Sequence, residues 1–363
     1  MTTRVLIIGG YGNFGRFISS QLACDTDIQL IIAGRSIAKA EAHANELAAE
    51  AVALDIEKDL PEALSSVNPD VVIHTSGPYQ EQNYRVAEAC IKFGCHYIDL
   101  ADGRAFVENI TTLDAAARKR NVLVISGAST LPGFSSALVD HFLAKFERLE
   151  SLDYAITTAQ RLNPGVATIA AIFSYTGKPF QTLVSGRNTT IFGLQDLHSR
   201  KFPGAGRRYL GNCNVPDLTL FPKRYADLKS LRFYAGVDVP LVQFIIWGIS
   251  WLARWGLIHR LERAAAPLLK ASHLVDWLGS DVSAFTMTLR GVGDTCAGRV
   301  ITFDLVAKSG HGPNIPCVPA ILLTQKIARG EIREIGAHPC IGFITLDEYL
   351  SELETFNISW AIT

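Results

Sequence analysis

No charge of one sign dominates this chain: Lys and Arg number 34 and Asp and Glu 35, a formal net charge of -1 over 363 residues. Binding that depends on an excess of basic charge over the whole molecule, to nucleic acid above all, is therefore not expected. Cys24, Cys90, Cys95, Cys213, Cys296, Cys317 and Cys340 form no C-x-x-C and no even framework, which is the usage of reduced thiols in a cytosol. Cys95-His96 stands alone, so no metal site is expected. Internal repeats and low-complexity tails are absent. The charge-free run 239–253 has 15 residues, short of the roughly 18 to 20 that span a bilayer. The first residues run straight into a strand, which leaves no room for a signal peptide, and a cytoplasmic protein is expected. With 48% hydrophobic residues and a mean hydropathy of +0.19 a large core can form, and the length points to two domains.

What is present is concentrated near the start. Val5, Leu6, Ile7 and Ile8 read as a strand buried on both faces, followed by Gly9 and by Gly10-Tyr11-Gly12-Asn13-Phe14-Gly15. An amphipathic helix over 13–23 follows, then a second apolar run at 28–33, the spacing of a βαβ unit. Such a turn binds a dinucleotide: Gly10 permits the tight turn, Gly12 lets a pyrophosphate approach the backbone, and Gly15 lets helix and strand pack closely. The helix start at Asn13 and Phe14 offers N–H groups and a positive dipole end to phosphate. After the second strand, where a carboxylate would bind a ribose 2′-hydroxyl, the chain reads Ala33-Gly34-Arg35-Ser36. Arg35 suits a 2′-phosphate and Ser36 can add a hydroxyl or cap the next helix, so NADP(H) is expected over NAD(H). Asp55, after a short strand at 51–54, is a candidate adenine contact or a plain turn residue.

Alternating strands and helices continue to about residue 125, which predicts a doubly wound parallel sheet of the Rossmann type, an α/β fold. The strand 71–75 ends in Ser76-Gly77-Pro78-Tyr79, and this loop is expected over the nicotinamide half of the cofactor. The strand 96–100 places Tyr97, Asp99 and, just beyond, Asp102 at the same end of the sheet. Tyr79 is the first candidate proton donor, provided its pKa is lowered; Asp99, Asp102 and Tyr97 follow, with His311 a distant candidate. Tyr97 can equally be core and Asp99 a helix cap.

The sequences Gly9-Gly10-Tyr11-Gly12-Asn13-Phe14-Gly15, Ser76-Gly77-Pro78-Tyr79, Val86-Ala87-Glu88-Ala89-Cys90, the stretch from Gly94 to Asp102 and Pro132-Gly133 resemble the saccharopine dehydrogenase-like family of oxidoreductases. The resemblance is specific over about the first 140 residues. It implies a cofactor domain at 1–133, a second α+β domain with a mixed or antiparallel sheet at 134–315, serving substrate binding or dimerisation, and a helical segment at 316–363 returning to the first. It also implies nicotinamide chemistry at a carbon–nitrogen bond. Amino-acid-processing members tend to carry an acidic residue before the Pro-Gly, where this chain has Leu131, so a substrate ammonium would lose that carboxylate. The alternatives are a reductase of an apolar, lipid-like substrate and a non-catalytic NADP-binding scaffold.

In the second half, 193–230 reads as a long loop, either a lid or substrate-binding loop or a plain ordered surface loop, 166–175 is ambiguous between helix and strand, and 283–290 with 299–307 predict a hairpin around Gly291-Val292-Gly293-Asp294. Asp238-Val239-Pro240 opens a helix to about Trp255 that is apolar almost all round, its polar residues Gln243, Ser250 and Arg254 falling on one stripe. Core burial is the plain reading, and a dimer contact, a greasy substrate pocket and a membrane-surface helix are the alternatives. A homodimer contact is preferred among these, and a peripheral membrane contact is not favoured for lack of net positive charge.

Overall fold

The computed structural model describes residues 2–162, 164–293 and 297–363, and the chain divides into two compact units, Met1–Ala137 with Pro313–Leu350, and Leu138–Gly312 with Ser351–Thr363.

The first unit is built on β1 (Thr3–Ile8), β2 (Ile28–Gly34), β3 (Glu50–Ala53), β4 (Val71–His74), β5 (His96–Asp99), β6 (Leu123–Ser126) and, late in the chain, β15 (Gly336–Pro339). All pair in parallel in the order β15-β6-β5-β4-β1-β2-β3. This is the expected Rossmann sheet, with its order reversing between β1 and β4. Residues of β4 and β6 are buried throughout, as strands covered on both faces must be. The connecting helices are α1 (Asn13–Leu22), α2 (Ile37–Glu46), α3 (Leu60–Val67), α4 (Arg85–Phe93), α5 (Arg104–Glu108) and α6 (Asp114–Lys119). On one face Leu6, Ile31, Val72, Tyr97 and Val124 pack against Leu64, Val86 and Cys90; on the other Ile32 packs with Ala40 and Ala44 of α2. Asn68 and Gly94 end α3 and α4 in the left-handed conformation, Gly94 because glycine pays least for it.

Helix α7 (Ser135–Leu143) leads out of that unit. The second unit holds β7 (Arg148–Thr158), α8 (Val166–Tyr175), β8 (Pro179–Val184), β9 (Arg187–Phe192), β10 (His198–Phe202), β11 (Gly206–Asn212), α9 (Asp217–Arg224), β12 (Ser230–Val237), α10 (Pro240–Arg254), α11 (Ala265–Ser272), β13 (Ser283–Val292), β14 (Gly298–Ala307) and β16 (Ile358–Ile362). Its sheet runs β10-β11-β12-β7-β13-β14-β16, with β8 and β9 beside β12. Only β12 and β7 pair in parallel among these neighbours, so the sheet is mixed, as the resemblance implied. Helices α12 (Val318–Ala328) and α13 (Leu346–Leu353) belong to the chain's last part, and the same stretch supplies β15 and β16 besides.

The long loop expected at 193–230 is instead two strands and a helix. Arg200, Lys201, Arg207 and Arg208 give β10 and β11 no apolar alternation, because β10 is an edge strand with a largely wetted surface. The ambiguous segment 166–175 is the helix α8. The predicted hairpin is β13–β14; its turn residue Asp294, and Cys296, lie outside the described residues.

Candidate functional site

β1 runs into the turn because Gly9 takes φ +80°, a value open to glycine at little cost. The N–H groups of Gly9 and Gly10 both donate to the Ala33 carbonyl, at 2.9 and 3.1 Å, which fastens the turn to β2. Gly12 donates to the Gly9 carbonyl at 2.8 Å and stands at the N-cap of α1, with extended backbone and no side chain to satisfy the first amides. Those amides are what a phosphate takes. A Cβ on Gly12 would meet only the Gly9 oxygen, at 3.1 Å, whereas one on Gly15 would run into that oxygen and lie 2.8 Å from Gly10 Cα. Gly12 therefore keeps the front of the turn open and Gly15 keeps helix and strand in contact. The residues present fit a dinucleotide pyrophosphate.

Two side chains brace this cradle that the sequence reading did not single out. Tyr11 reaches back over β2: a Cβ on Gly34 would lie 2.7 Å from its Cζ, and its hydroxyl accepts the Ser36 N–H at 3.0 Å. The signal was the pairing of a bulky residue inside the motif with a glycine at the end of the next strand. Thr75 donates its hydroxyl to the Ile8 carbonyl at 2.9 Å, stitching the end of β4 to the end of β1 at the point where the strand order reverses. Gln82 holds the following loop by donating to the Ser76 and Pro78 carbonyls at 2.7 and 3.0 Å. Ser76, Gly77 and Pro78 thus lie beside the glycine turn, where a cofactor's far half falls in folds of this kind.

Arg35 is exposed at the end of β2, with Ser36 half-buried beside it. Ser36 occupies the N-cap of α2 but its hydroxyl makes no capping bond. Asp55 follows β3; the Glu57 N–H, then Lys58 and Arg35, hold its carboxyl below the ordinary value. Its Oδ1 accepts that amide at 3.1 Å, the geometry of a turn residue.

The proton-donor candidates are placed differently from the expectation. Tyr79 is buried and donates to the His74 carbonyl at 2.6 Å, and burial, reinforced by Asp99, pushes its pKa well above the ordinary phenol value. The lowered pKa on which its first rank depended is absent. Tyr97 is core, its hydroxyl 3.1 Å from His74 Nδ1 and its pKa likewise raised by burial. Asp99 is fully buried; its Oδ1 accepts the Ala101 and Gly127 N–H groups and the Ser126 hydroxyl, each at 2.9 Å. Burial lifts its pKa to about 6, against those donors. It therefore ties the loop after β5 to the loop after β6. Asp102 is exposed and accepts from Gln80 at 2.9 Å. His311 lies in the second unit, where its Nδ1 accepts the Asn357 N–H at 2.9 Å. Tyr79→Phe should accordingly lower stability by about 1 kcal/mol, the usual worth of one hydrogen bond, and leave any pH–rate profile unmoved; a shift of that profile would return Tyr79 to the chemistry. Among the described residues no group of His, Cys, Asp or Glu is placed to hold a metal ion.

A parallel sheet with a glycine cradle at its order reversal, followed by a second unit on a mixed sheet, is the architecture of a dinucleotide-binding protein of the Rossmann class. Residues 5–125 match the model of the saccharopine dehydrogenase NADP binding domain, so this third of the chain is similar to that cofactor domain. The fold agrees over its whole length with the apo saccharopine dehydrogenase (L-Glu forming) of Saccharomyces cerevisiae, at a TM-score of 0.72, 14% identity and coverage of 99% of this chain and 100% of that one. A 4-hydroxy-tetrahydrodipicolinate reductase of Syntrophomonas wolfei is 26% identical over 136 residues, 38% of this chain and 48% of the relative, so the match spans about half of that protein.

Proposed function

We propose that the protein is an NADP(H)-dependent oxidoreductase acting at a carbon–nitrogen bond, such as that of an imine or an amino acid. The observation that carries the cofactor half is the open glycine cradle with Arg35, and no carboxylate, at the end of β2. A guanidinium there can fork onto a 2′-phosphate, whereas a 2′-hydroxyl would find no acceptor in its usual place. When bound, the nicotinamide supplies or accepts the hydride. The chain's own residues bind the pyrophosphate at Gly10, Gly12 and the α1 start, and fix the loop over 75–79 through Thr75 and Gln82. Asp99 is a positioning residue in this reading: the loops it joins leave β5, the neighbour of β4, and β6, the next strand out. The carbon–nitrogen assignment is supported by the saccharopine dehydrogenase family match of the cofactor domain.

A second reading, an apolar lipid-like substrate, is favoured by Leu131 before Pro132-Gly133, where an amino-acid substrate would want a carboxylate. NADPH consumption measured with an imine panel and with apolar acceptors separates the two; consumption with neither would favour a binding scaffold.

The cofactor choice has its own test. At equal concentration NADPH should raise the melting temperature well above NADH, because stabilisation follows RT ln(1 + [L]/Kd). Losing a charged hydrogen bond costs about tenfold or more in affinity, so Arg35→Asp should reverse the order. Equal shifts from both nucleotides in the parent protein would refute the 2′-phosphate role.

A further inference from the structure

Helix α10 is turned the opposite way from a core helix. Gln243 and Ser250 are its buried residues; Gln243 Oε1 accepts the Val237 N–H at 3.1 Å, and Arg254 Nη1 donates to Gln195 Oε1 at 2.6 Å with its guanidinium 3.7 Å from the Phe192 ring centre. Gln243 and Ser250 point inward, while Leu241, Phe244, Ile245 and Leu252 are exposed and the remaining apolar residues of 242–253 half-buried. Core burial, the plain expectation for this helix, is thereby corrected: a stripe of three polar residues was enough to set its inner face.

The layer continues beyond α10. Ile249 and Ile258 share one apolar cluster with Leu261, Ala265 and the α8 residue Phe173, so α8, α10 and α11 pack side by side. On the outside of this layer Trp255, Leu257, Leu274 and Trp277 are 65%, 69%, 78% and 75% exposed. Its charges are sorted as well. Residues 239–261 contain no acid, and over 239–278 Arg254, Arg260, Arg263 and Lys270 stand against Glu262 and Asp276. Both acids are half-buried: one Glu262 carboxylate oxygen is out of contact with solvent, and Asp276 is hydrogen-bonded to Gln160 and His273 at 2.9 and 2.8 Å. Arg260, Arg263 and Lys270 are exposed.

We infer that this helical layer is a docking surface for an anionic phospholipid bilayer, lying on it without crossing it. Exposed tryptophans among leucines, rimmed by Arg and Lys that outnumber the half-buried acids, are the chemistry of an interfacial anchor. Among the described residues no helix is long and apolar enough to span a membrane. The whole-chain balance of 34 basic against 35 acidic residues, which argued against a membrane, hides this local excess. A two-fold contact with a second copy of the chain would set the same cationic rim against itself, which disfavours the dimer as occupant.

The test uses the full chain and flotation with vesicles of phosphatidylglycerol and phosphatidylcholine, against phosphatidylcholine alone. The protein should float with the anionic vesicles and be released by salt, and brominated acyl chains should quench its tryptophan fluorescence. The double variant Trp255→Glu/Trp277→Glu should lose flotation with its melting temperature unchanged. Arg260→Gln/Arg263→Gln should weaken partitioning about 25-fold, fivefold for each charge near the surface. Failure of the parent protein to float at low salt and to be quenched overturns the inference. A doubled mass in light scattering, halved by the tryptophan pair and without vesicle binding, would give the surface to a second copy instead. Neither outcome depends on whether NADPH binds.

Discussion

Gly12→Val and Gly15→Ala are expected to fail in different ways. In Gly12→Val the protein should melt only slightly below the parent, because a Cβ there presses on a single backbone oxygen, at 3.1 Å. Its branched side chain fills the approach of the pyrophosphate, so the NADPH-induced rise in melting temperature should vanish. That rise is worth about 2.7 kcal/mol at a ligand concentration of 100 Kd. In Gly15→Ala the added carbon runs into the Gly9 carbonyl and stands 2.8 Å from Gly10 Cα. These are backbone atoms, which cannot rotate away, and Gly9 and Gly10 are both fastened to Ala33. Overpacking of this sort costs typically 1–3 kcal/mol, or roughly 2–12 °C for a domain of this size, with no ligand present. Nucleotide binding should fall with it, because the α1 amides move with the turn. Calorimetry of the two variants with and without NADPH reads all four outcomes. A Gly12→Val protein that keeps the NADPH shift would make the turn structural only.

What the sequence disclosed, and what it did not, follows from which residues have only one use. The glycine turn was legible because each of its positions needs a missing side chain for a different reason, and β1, α1 and β2 come in the order that gives the turn its meaning. Boundaries of α10 were legible to about a residue, since Pro240 starts it and Gly256 follows it. Its orientation was not, because fewer polar residues than apolar ones decide which side faces in when the apolar side has somewhere else to go. The strands β10 and β11 were hidden by Arg and Tyr, which an exposed edge tolerates as readily as a loop does. Tyr79 shows the limit at the site itself. A tyrosine in a cofactor loop reads as a proton donor, yet whether its hydroxyl faces the cleft or the His74 carbonyl is settled by packing from β5 and α5, through Tyr97 and Phe106. The same packing makes a pair of titrating groups that no motif announces.

His74 and Asp99 stand opposite each other in neighbouring strands, and burial displaces their pKa values in opposite directions, to about 4 from 6.5 and to about 6 from 3.8. Between these values the folded protein keeps a proton on Asp99 that the unfolded chain has released, so this residue makes stability fall as pH rises from about 4 to 6. His74 does the reverse: the unfolded chain binds a proton that the folded protein excludes, so its contribution rises from about pH 4 to 6.5. Each displacement, at about 1.4 kcal/mol per pH unit, is worth roughly 3 kcal/mol, and the two nearly cancel. The parent protein should therefore show little slope from this pair. Asp99→Asn should leave the His74 arm alone, its stability relative to the parent rising by roughly 3 kcal/mol from pH 4 to 6 as the lost Asp99 contribution would have fallen. His74→Asn should leave the other arm, its stability relative to the parent falling by a similar amount from pH 4 to 6.5. A constant offset of about 1–3 kcal/mol is expected for Asp99→Asn at every pH, because Ala101, Gly127 and Ser126 share one poorer acceptor. Denaturant titrations of parent and variants across that range, taken as differences so that all other groups cancel, carry the result. Parallel curves for both variants would mean that neither group titrates abnormally, and that Asp99 orders its two loops as an ordinary carboxylate.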